Sequence, residues 1–123
     1  MYVIADRWYV VLASAELRAG APLAVVRMGH AMVFWRGMDG EVLAVLDGCP
    51  HRGAKLSLGR VKDGCIACPF HGLQFDGTGR CVKVPAHPDR PISGALRATA
   101  LQVRESEGFI WLFTGPSAPP AGP

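Results

Sequence analysis

Cysteine and histidine are scarce, four of each in 123 residues, and basic residues never gather into a run. Lys and Arg number 13 against 10 Asp and Glu, a balance of +3, with the cations scattered from Arg7 to Arg104. Without a basic stripe the chain lacks the electrostatic footprint of a nucleic-acid binder. No uninterrupted apolar stretch approaches the roughly 20 residues that a membrane-spanning helix needs. The opening "MYVIADRWYVVLASAEL" has no basic leader before an apolar core and meets Asp6 and Arg7 early, unlike a secretory signal. The cysteines do not suggest a disulfide framework, so a reducing, cytoplasmic setting is expected. A sustained helical period is missing too. The exception is a turn at "SAELRAG", with Ser14 as cap and Gly20 as terminator.

What is present is a hydrophobic half, 50% of the residues, enough for a single core in a chain of this length. It comes in short pieces: "WYVVLA", "LAVVRM", "AMVFWR", "EVLAVL", "GCIAC", "LQFDG", "ALQVRE" and "GFIWLF". Each is of strand length and rich in β-branched or aromatic residues. Met38-Asp39-Gly40, Asp63-Gly64 and Glu107-Gly108 read as hairpin turns. The fold expected is all-β, a small antiparallel multi-sheet arrangement. The domain is expected to span residues 1–115, and the Pro/Gly-rich residues 116–123 to form a tail or linker, because proline removes donors and little apolar area remains to pack.

The scarce residues are concentrated in "CPHRGAKLSLGRVKDGCIACPFHG", Cys49 to Gly72. Its two ends repeat one phrase, CPHRG and CPFHG. A hairpin turning at Asp63-Gly64 would bring the two phrases side by side as tight loops. Pro50 and Pro69 stiffen the chain beside each cysteine and push that cysteine into extended geometry. Gly53 and Gly72 let backbone amides approach an inorganic group. Cys49, His51, Cys68 and His71 are the candidate metal ligands. Zinc accepts two cysteines and two histidines, although usually as a cysteine pair and a histidine pair. Here each loop offers one of each, the division that suits a Rieske-type 2Fe-2S cluster, with two thiolates on one iron and two imidazoles on the other. A structural zinc module remains as the alternative.

These phrases, followed by "FDGTGRC" and "VP", resemble the Rieske 2Fe-2S domain family. The resemblance runs from Trp8-Tyr9 to about Gly115 and is strongest to the N-terminal Rieske domain of ring-hydroxylating and demethylating oxygenases and to Rieske-type ferredoxins. It implies that Cys49 and Cys68 bind one iron and His51 and His71 the other, and that Pro85 belongs to a third loop covering the cluster. Arg52, Gly53, Phe70 and Gly72 complete the cofactor-binding loops. The Rieske proteins of cytochrome bc complexes carry a further cysteine in each loop, where Ala54 and Phe70 stand here, and a serine and a tyrosine hydroxyl where Leu73 and Phe75 stand. Hydroxyls that donate to sulfur favour the reduced state, so their loss lowers the potential. The expectation is the lower part of the range of about −150 to +300 mV for Rieske centres.

The same resemblance implies a flavin-dependent or ferredoxin reductase as electron donor and a terminal oxygenase as acceptor, with neither nucleic acid nor membrane as partner. A mononuclear oxygenase iron wants two further histidines and a carboxylate at one site, and only His30 and His87 remain, far apart and without that spacing. The chain's length and the missing catalytic iron favour a ferredoxin-like one-electron carrier. The oxygenase-like "WYVVLASAEL" and the Pro-rich end favour an electron-entry domain of an oxygenase. Cys65 is expected to look away from the cluster, because strand positions three apart face opposite sides. Cys65 and Cys81 are expected to be inert buried thiols, and Trp8, Tyr9, Trp35 and Trp111 core or rim aromatics. Arg52 and Lys55 flank the first loop as candidate attractors of an acidic partner.

Overall fold

The run "AMVFWR" has apolar residues facing both ways, and that decides the layering. In the computed structural model, which describes residues 6–50 and 53–115, the run lies in β3 (His30–Arg36). Met32 and Phe34 pack into one core with Leu12, Ile110 and Leu112. Val33 and Trp35 pack into a second core with Leu56, Ile66 and Phe75. Because successive strand side chains point to opposite faces, β3 is buried on both sides. The next strand, β4 (Val42–Leu46), divides likewise, with Val42 and Ala44 in the first core and Val45 in the second. Full burial of an aliphatic or aromatic side chain contributes roughly 1.5–3 kcal/mol, so Phe34 and Trp35, both 0% exposed, anchor the two cores from one strand.

With β2 (Leu23–Arg27), these strands form the middle sheet in the order β2-β3-β4. One face of it meets a sheet of β1 (Trp8–Ala13), β9 (Val103–Ser106) and β10 (Phe109–Phe113), ordered β1-β10-β9. The other face meets a sheet of β5 (Arg60–Lys62), β6 (Cys65–Ala67), β7 (Gln74–Phe75) and β8 (Cys81–Lys83) in sequence order. All the strand pairs are antiparallel, so the all-β antiparallel expectation holds. Among the described residues, no helix is long and apolar enough to cross a membrane.

Turn chemistry explains most of the connections. Asp63-Gly64 and Glu107-Gly108 make two-residue hairpins with positive φ at both positions, 51° and 76° in the first and 54° and 82° in the second. Such turns match the right-handed strand twist. Met38-Asp39-Gly40 sits in a longer loop closed by a hydrogen bond from Gly37 N–H to Glu41 C=O, 2.9 Å. Met28-Gly29 makes a third two-residue hairpin, with φ of 54° and 79°; a methionine in that role gave no signal in the sequence. Two expectations need correction. The turn in "SAELRAG" is a short 3-10 segment, Ser14–Glu16, in which Ser14 is the first helical residue and not the cap. The Glu16 carboxylate caps it instead, accepting from Ala13 N–H at 3.3 Å. The segment ends before Leu17, ahead of Gly20. Strands β5 and β8 were also missing from the expected set, being only three residues each.

Two side chains tie the layers together. Trp35 Nε1 donates to Gly64 C=O at 2.9 Å, fastening the middle sheet to the β5–β6 turn. Arg36 makes a two-pronged pair with Glu105 of β9, both N···O distances being 2.9 Å. Arg36 also donates to the carbonyls of Ser14, Leu17 and Gly40. The hydrogen bonds from Arg36 hold the Glu105 carboxyl at about 2, below its ordinary 4.5. A depressed carboxylate stabilises the fold fully above its unfolded value and loses that contribution as pH falls through the folded one. Glu105 is 35% exposed, so solvent screening leaves about 0.5–1 kcal/mol for a pair of this geometry. Glu105→Gln is therefore expected to lower urea-denaturation stability by that amount at pH 7, and the gap between variant and wild type should close between pH 4.5 and about 2.

Candidate metal centre

The two cysteine loops are built alike. In the first, which follows β4, Cys49 N–H donates to Ala54 C=O at 2.7 Å, and Gly53 N–H donates to Cys49 C=O at 2.7 Å. In the second, between β6 and β7, Cys68 N–H donates to Leu73 C=O at 2.8 Å, and Gly72 N–H donates to Cys68 C=O at 3.0 Å. Gly53 and Gly72 have φ of +70° and +69°, a backbone state that costs an L-residue about 1–2 kcal/mol and glycine almost nothing. The repeated phrase in the sequence is thus a repeated turn in the structure. Its register also exposes an asymmetry: Cys49 matches Cys68 and Gly53 matches Gly72, but His51 matches Phe70, and His71 matches Arg52.

Both cysteines are buried, Cys49 to 2% and Cys68 to 6% exposure, and both belong to the core shared by the middle and third sheets. Leu73 and Phe75, buried in the same core, offer it hydrocarbon and no hydroxyl. His71 is exposed, as is Phe70 at 72%. Pro85, in the connection after β8, lies beside the second loop, with its Cγ 3.4 Å from where a Cβ on Gly72 would be. The structure thus brings Cys68, His71, Gly72 and Pro85 to the rim of one cleft. His51 and Arg52 lie outside the described residues. Two buried thiols held by matched turns, with an imidazole at the surface beside one of them, are a donor set that fits a mixed sulfur and nitrogen metal group.

Sequence reasoning missed the braces of these loops. Asp47, just before the first loop, accepts from Ser57 N–H at 2.8 Å and from Ser57 Oγ at 2.5 Å, closing the loop against the short 3-10 turn Leu56–Leu58. Gly59 then presses on β6: a Cβ there would lie 1.7 Å from Ala67 C=O, one residue before Cys68. The close approach of these two backbones sets the loops side by side. The serine, aspartate and glycine concerned are ordinary loop residues with no local signal of these contacts.

The other cysteines and histidines stand apart. Cys81 is buried at 1% and Cys65 only partly so, a correction to the expectation of two buried thiols. Burial pushes both thiols up, with Asp76 and Asp63 adding to the effect at Cys65 and a backbone hydrogen bond with Lys83 partly opposing it at Cys81. Both are poor nucleophiles for that reason. His30 edges an apolar cleft with Met28 and Leu112, while His87 lines a different one with Val84 and Arg90. Trp35 is core, and Trp8, Tyr9 and Trp111 are half-buried, as expected of core and rim aromatics.

Residues 7–103 match the Rieske [2Fe-2S] domain. The chain is 36% identical over 121 residues to aminopyrrolnitrin oxygenase PrnD of Pseudomonas fluorescens, covering 94% of this chain and 33% of that protein. It is 41% identical over 110 residues to the vanillate O-demethylase oxygenase subunit of a Pseudomonas species, covering 89% of this chain and 30% of that one. The crystal structure of apo dicamba monooxygenase superposes with a TM-score of 0.83 at 38% identity, over 89% of this chain and 34% of that one. The chain belongs to the Rieske [2Fe-2S] domain family, and its cofactor is a Rieske-type 2Fe-2S cluster. It spans about a third of the length of these curated relatives.

The contact at Gly59 yields a direct comparison. Gly59→Ala drives a methyl into the Ala67 carbonyl and is expected to cost about 1–3 kcal/mol, as overpacking does. Gly53→Ala meets no atom within 4 Å and should cost only its positive φ, about 1 kcal/mol. Denaturation midpoints of the two variants check the order, and Gly59→Ala should also retain less iron than Gly53→Ala.

Proposed function

We propose that this chain is the electron-entry domain of a non-haem iron oxygenase system. A Rieske cluster accepts and releases one electron at a time, and its histidine-ligated iron gives it a higher potential than all-thiolate clusters of the plant ferredoxin type. Cys49 and Cys68 supply the thiolate ligands from the two matched turns. His51 and His71 supply the imidazole ligands, and Gly53, Gly72, Phe70, Arg52 and Pro85 shape the loops around them. The observation that carries the reading is the pair of turns with identical hydrogen bonding, each starting at a buried cysteine in the same core. His71, being exposed, offers a ring edge at the surface through which a partner can come close. Leu73 and Phe75 withhold hydroxyl donors and keep the potential low.

Of the two classes open at the sequence level, the oxygenase relatives support the entry domain over the stand-alone ferredoxin-like carrier, because PrnD and the vanillate demethylase subunit are oxygenase components much longer than this chain. The proposed donor is a flavin-dependent or ferredoxin reductase, and the proposed acceptor is the catalytic iron of the oxygenase, held by residues other than these. The cytoplasm is the proposed location.

Anaerobically purified protein should be red-brown and carry two irons and two acid-labile sulfides per chain, with a midpoint below zero, in the lower part of the range of about −150 to +300 mV. His71→Cys should lower the midpoint wherever a cluster still assembles, and His30→Ala should leave it unchanged. A colourless protein holding one divalent ion contradicts the cluster, and a midpoint above zero contradicts the oxygenase branch. The reading frame or its neighbour should encode two histidines and a carboxylate converging on one open metal site. A gene beside a reductase and a separately complete oxygenase would restore the carrier reading.

A further inference from the structure

One face of the third sheet carries an unbroken line of positions that the register makes neighbours. Arg60 pairs with Ala67, Ala67 with Gln74, and Gln74 with Lys83. Paired residues share a face, so these four side chains stand in a row across all four strands. Lys62, two residues beyond Arg60, stands on the same face. The other face is apolar, with Ile66, Phe75 and Cys81 in the core; a register shift between Gln74 and Phe75 turns Lys83 to the opposite face from Cys81.

Ala67 is the low point of the row. Its methyl leaves a cleft of about 590 Å³ between the flanking long side chains, and the cleft's other wall is the second cysteine loop with His71. Arg60, Lys62 and Lys83 all line it, and no carboxylate does. Among the described residues none of these three cations is in an ion pair. Gln74, 5% exposed, is the buried polar residue of the described core and opens on the same cleft. The carboxylates of Asp63 and Asp76 act on Cys65, the partner of Lys62 at the end of β6 away from the cysteine loop, so they lie toward the Lys62 end and outside the cleft lining. Beside the cleft, Leu58 and Phe70 are each 72% exposed. Three like charges on a small sheet face repel one another, and two large apolar side chains stand in water beside them. Both costs are relieved when a partner brings carboxylates and an apolar patch to the same place.

We propose that this face is the docking surface for an acidic one-electron donor protein, whose carboxylates meet Arg60, Lys62 and Lys83 while its redox group approaches His71. The proposal rests on the reading of His71 as a cluster ligand. A small anion would use the cations alone, whereas the exposed Leu58 and Phe70 extend the surface to the dimensions of a protein contact. A donor that must arrive and leave with every electron gains from long-range steering, which raises the association rate and makes it sensitive to salt.

The test uses the cluster-loaded protein in a stopped-flow instrument, with reduced plant-type [2Fe-2S] ferredoxin, an acidic protein and a stronger reductant than a Rieske centre, as the probe. Lys62→Glu with Lys83→Glu is expected to slow the second-order reduction by about tenfold or more at low salt, and high salt should erase most of the difference. Reduction by methyl viologen radical cation should not slow. Arg7→Glu with Arg18→Glu makes the same change in net charge at exposed positions beside the first sheet, and should have a far smaller effect. Equal rates for wild type and the Lys62/Lys83 variant with ferredoxin would overturn the docking face. So would an equal loss with the Arg7/Arg18 variant, or a loss that also appears with methyl viologen. Wild-type protein that assembles no cluster fails an earlier step, the metal centre itself, and the iron and sulfide content distinguishes that failure.

Discussion

The site depends on one constraint: each buried cysteine must be held at the start of a turn closed by its own backbone. Cys49 and Cys68 each donate an amide proton to the carbonyl five residues on and accept one from the amide four residues on. That pattern fixes where the Cβ–Sγ bond points without help from side chains. It requires a positive φ at the fifth residue of each phrase, which is why Gly53 and Gly72 stand there. A buried neutral thiol packs as a small hydrophobe, whereas a buried thiolate is costly unless something positive lies beside it, so ionised sulfur in this core calls for a metal ion beside it. Within the two phrases the histidines are offset by one position, third in CPHRG and fourth in CPFHG.

The rest of the fold holds the turns in place. Because β3 and β4 are buried on both faces, the middle sheet works as a rigid floor shared by two cores. Trp35 reaches from that floor to the β5–β6 turn, and Gly59 against Ala67 closes the gap between the two loops. Arg36 and Glu105 fasten the opposite layer. The rigidity is on the inner side, while His71, Phe70 and Leu58 face outward. An electron-transfer site gains from both properties, since a stiff ligand set needs little rearrangement on reduction and an open edge lets a partner come close.

Much of this was legible in the residues. The β-branched and aromatic segments announced eight of the strands, and Asp63-Gly64 announced the hairpin that joins the loops, because that dipeptide tolerates the φ its turn demands. Cys49, Cys68 and His71 stood out because their residue types are rare and their phrase is repeated. What escaped was set by tertiary contacts. β5 and β8 are three-residue strands whose exposed residues are Arg60, Lys62, Val82 and Lys83, too short and too charged to stand out as strands. Ser14 has a cap-forming side chain, yet Glu16 performed the capping because the chain entered the turn from a strand at Ala13. Met28 adopted a turn conformation imposed by the β2–β3 register. The cationic row appears only when pairing brings residues 60, 67, 74 and 83 into line, a juxtaposition with no local signature.

The central claim is that each loop gives one sulfur and one nitrogen to a two-iron cluster. The most direct measurement is electron paramagnetic resonance of the dithionite-reduced protein, with pulsed detection of nitrogen hyperfine coupling. The account predicts an average g value below that of all-thiolate clusters and coupling to two imidazole nitrogens, one of which disappears in His71→Cys. A spectrum of the all-thiolate type, or reduced protein with no signal and no visible colour, would contradict it.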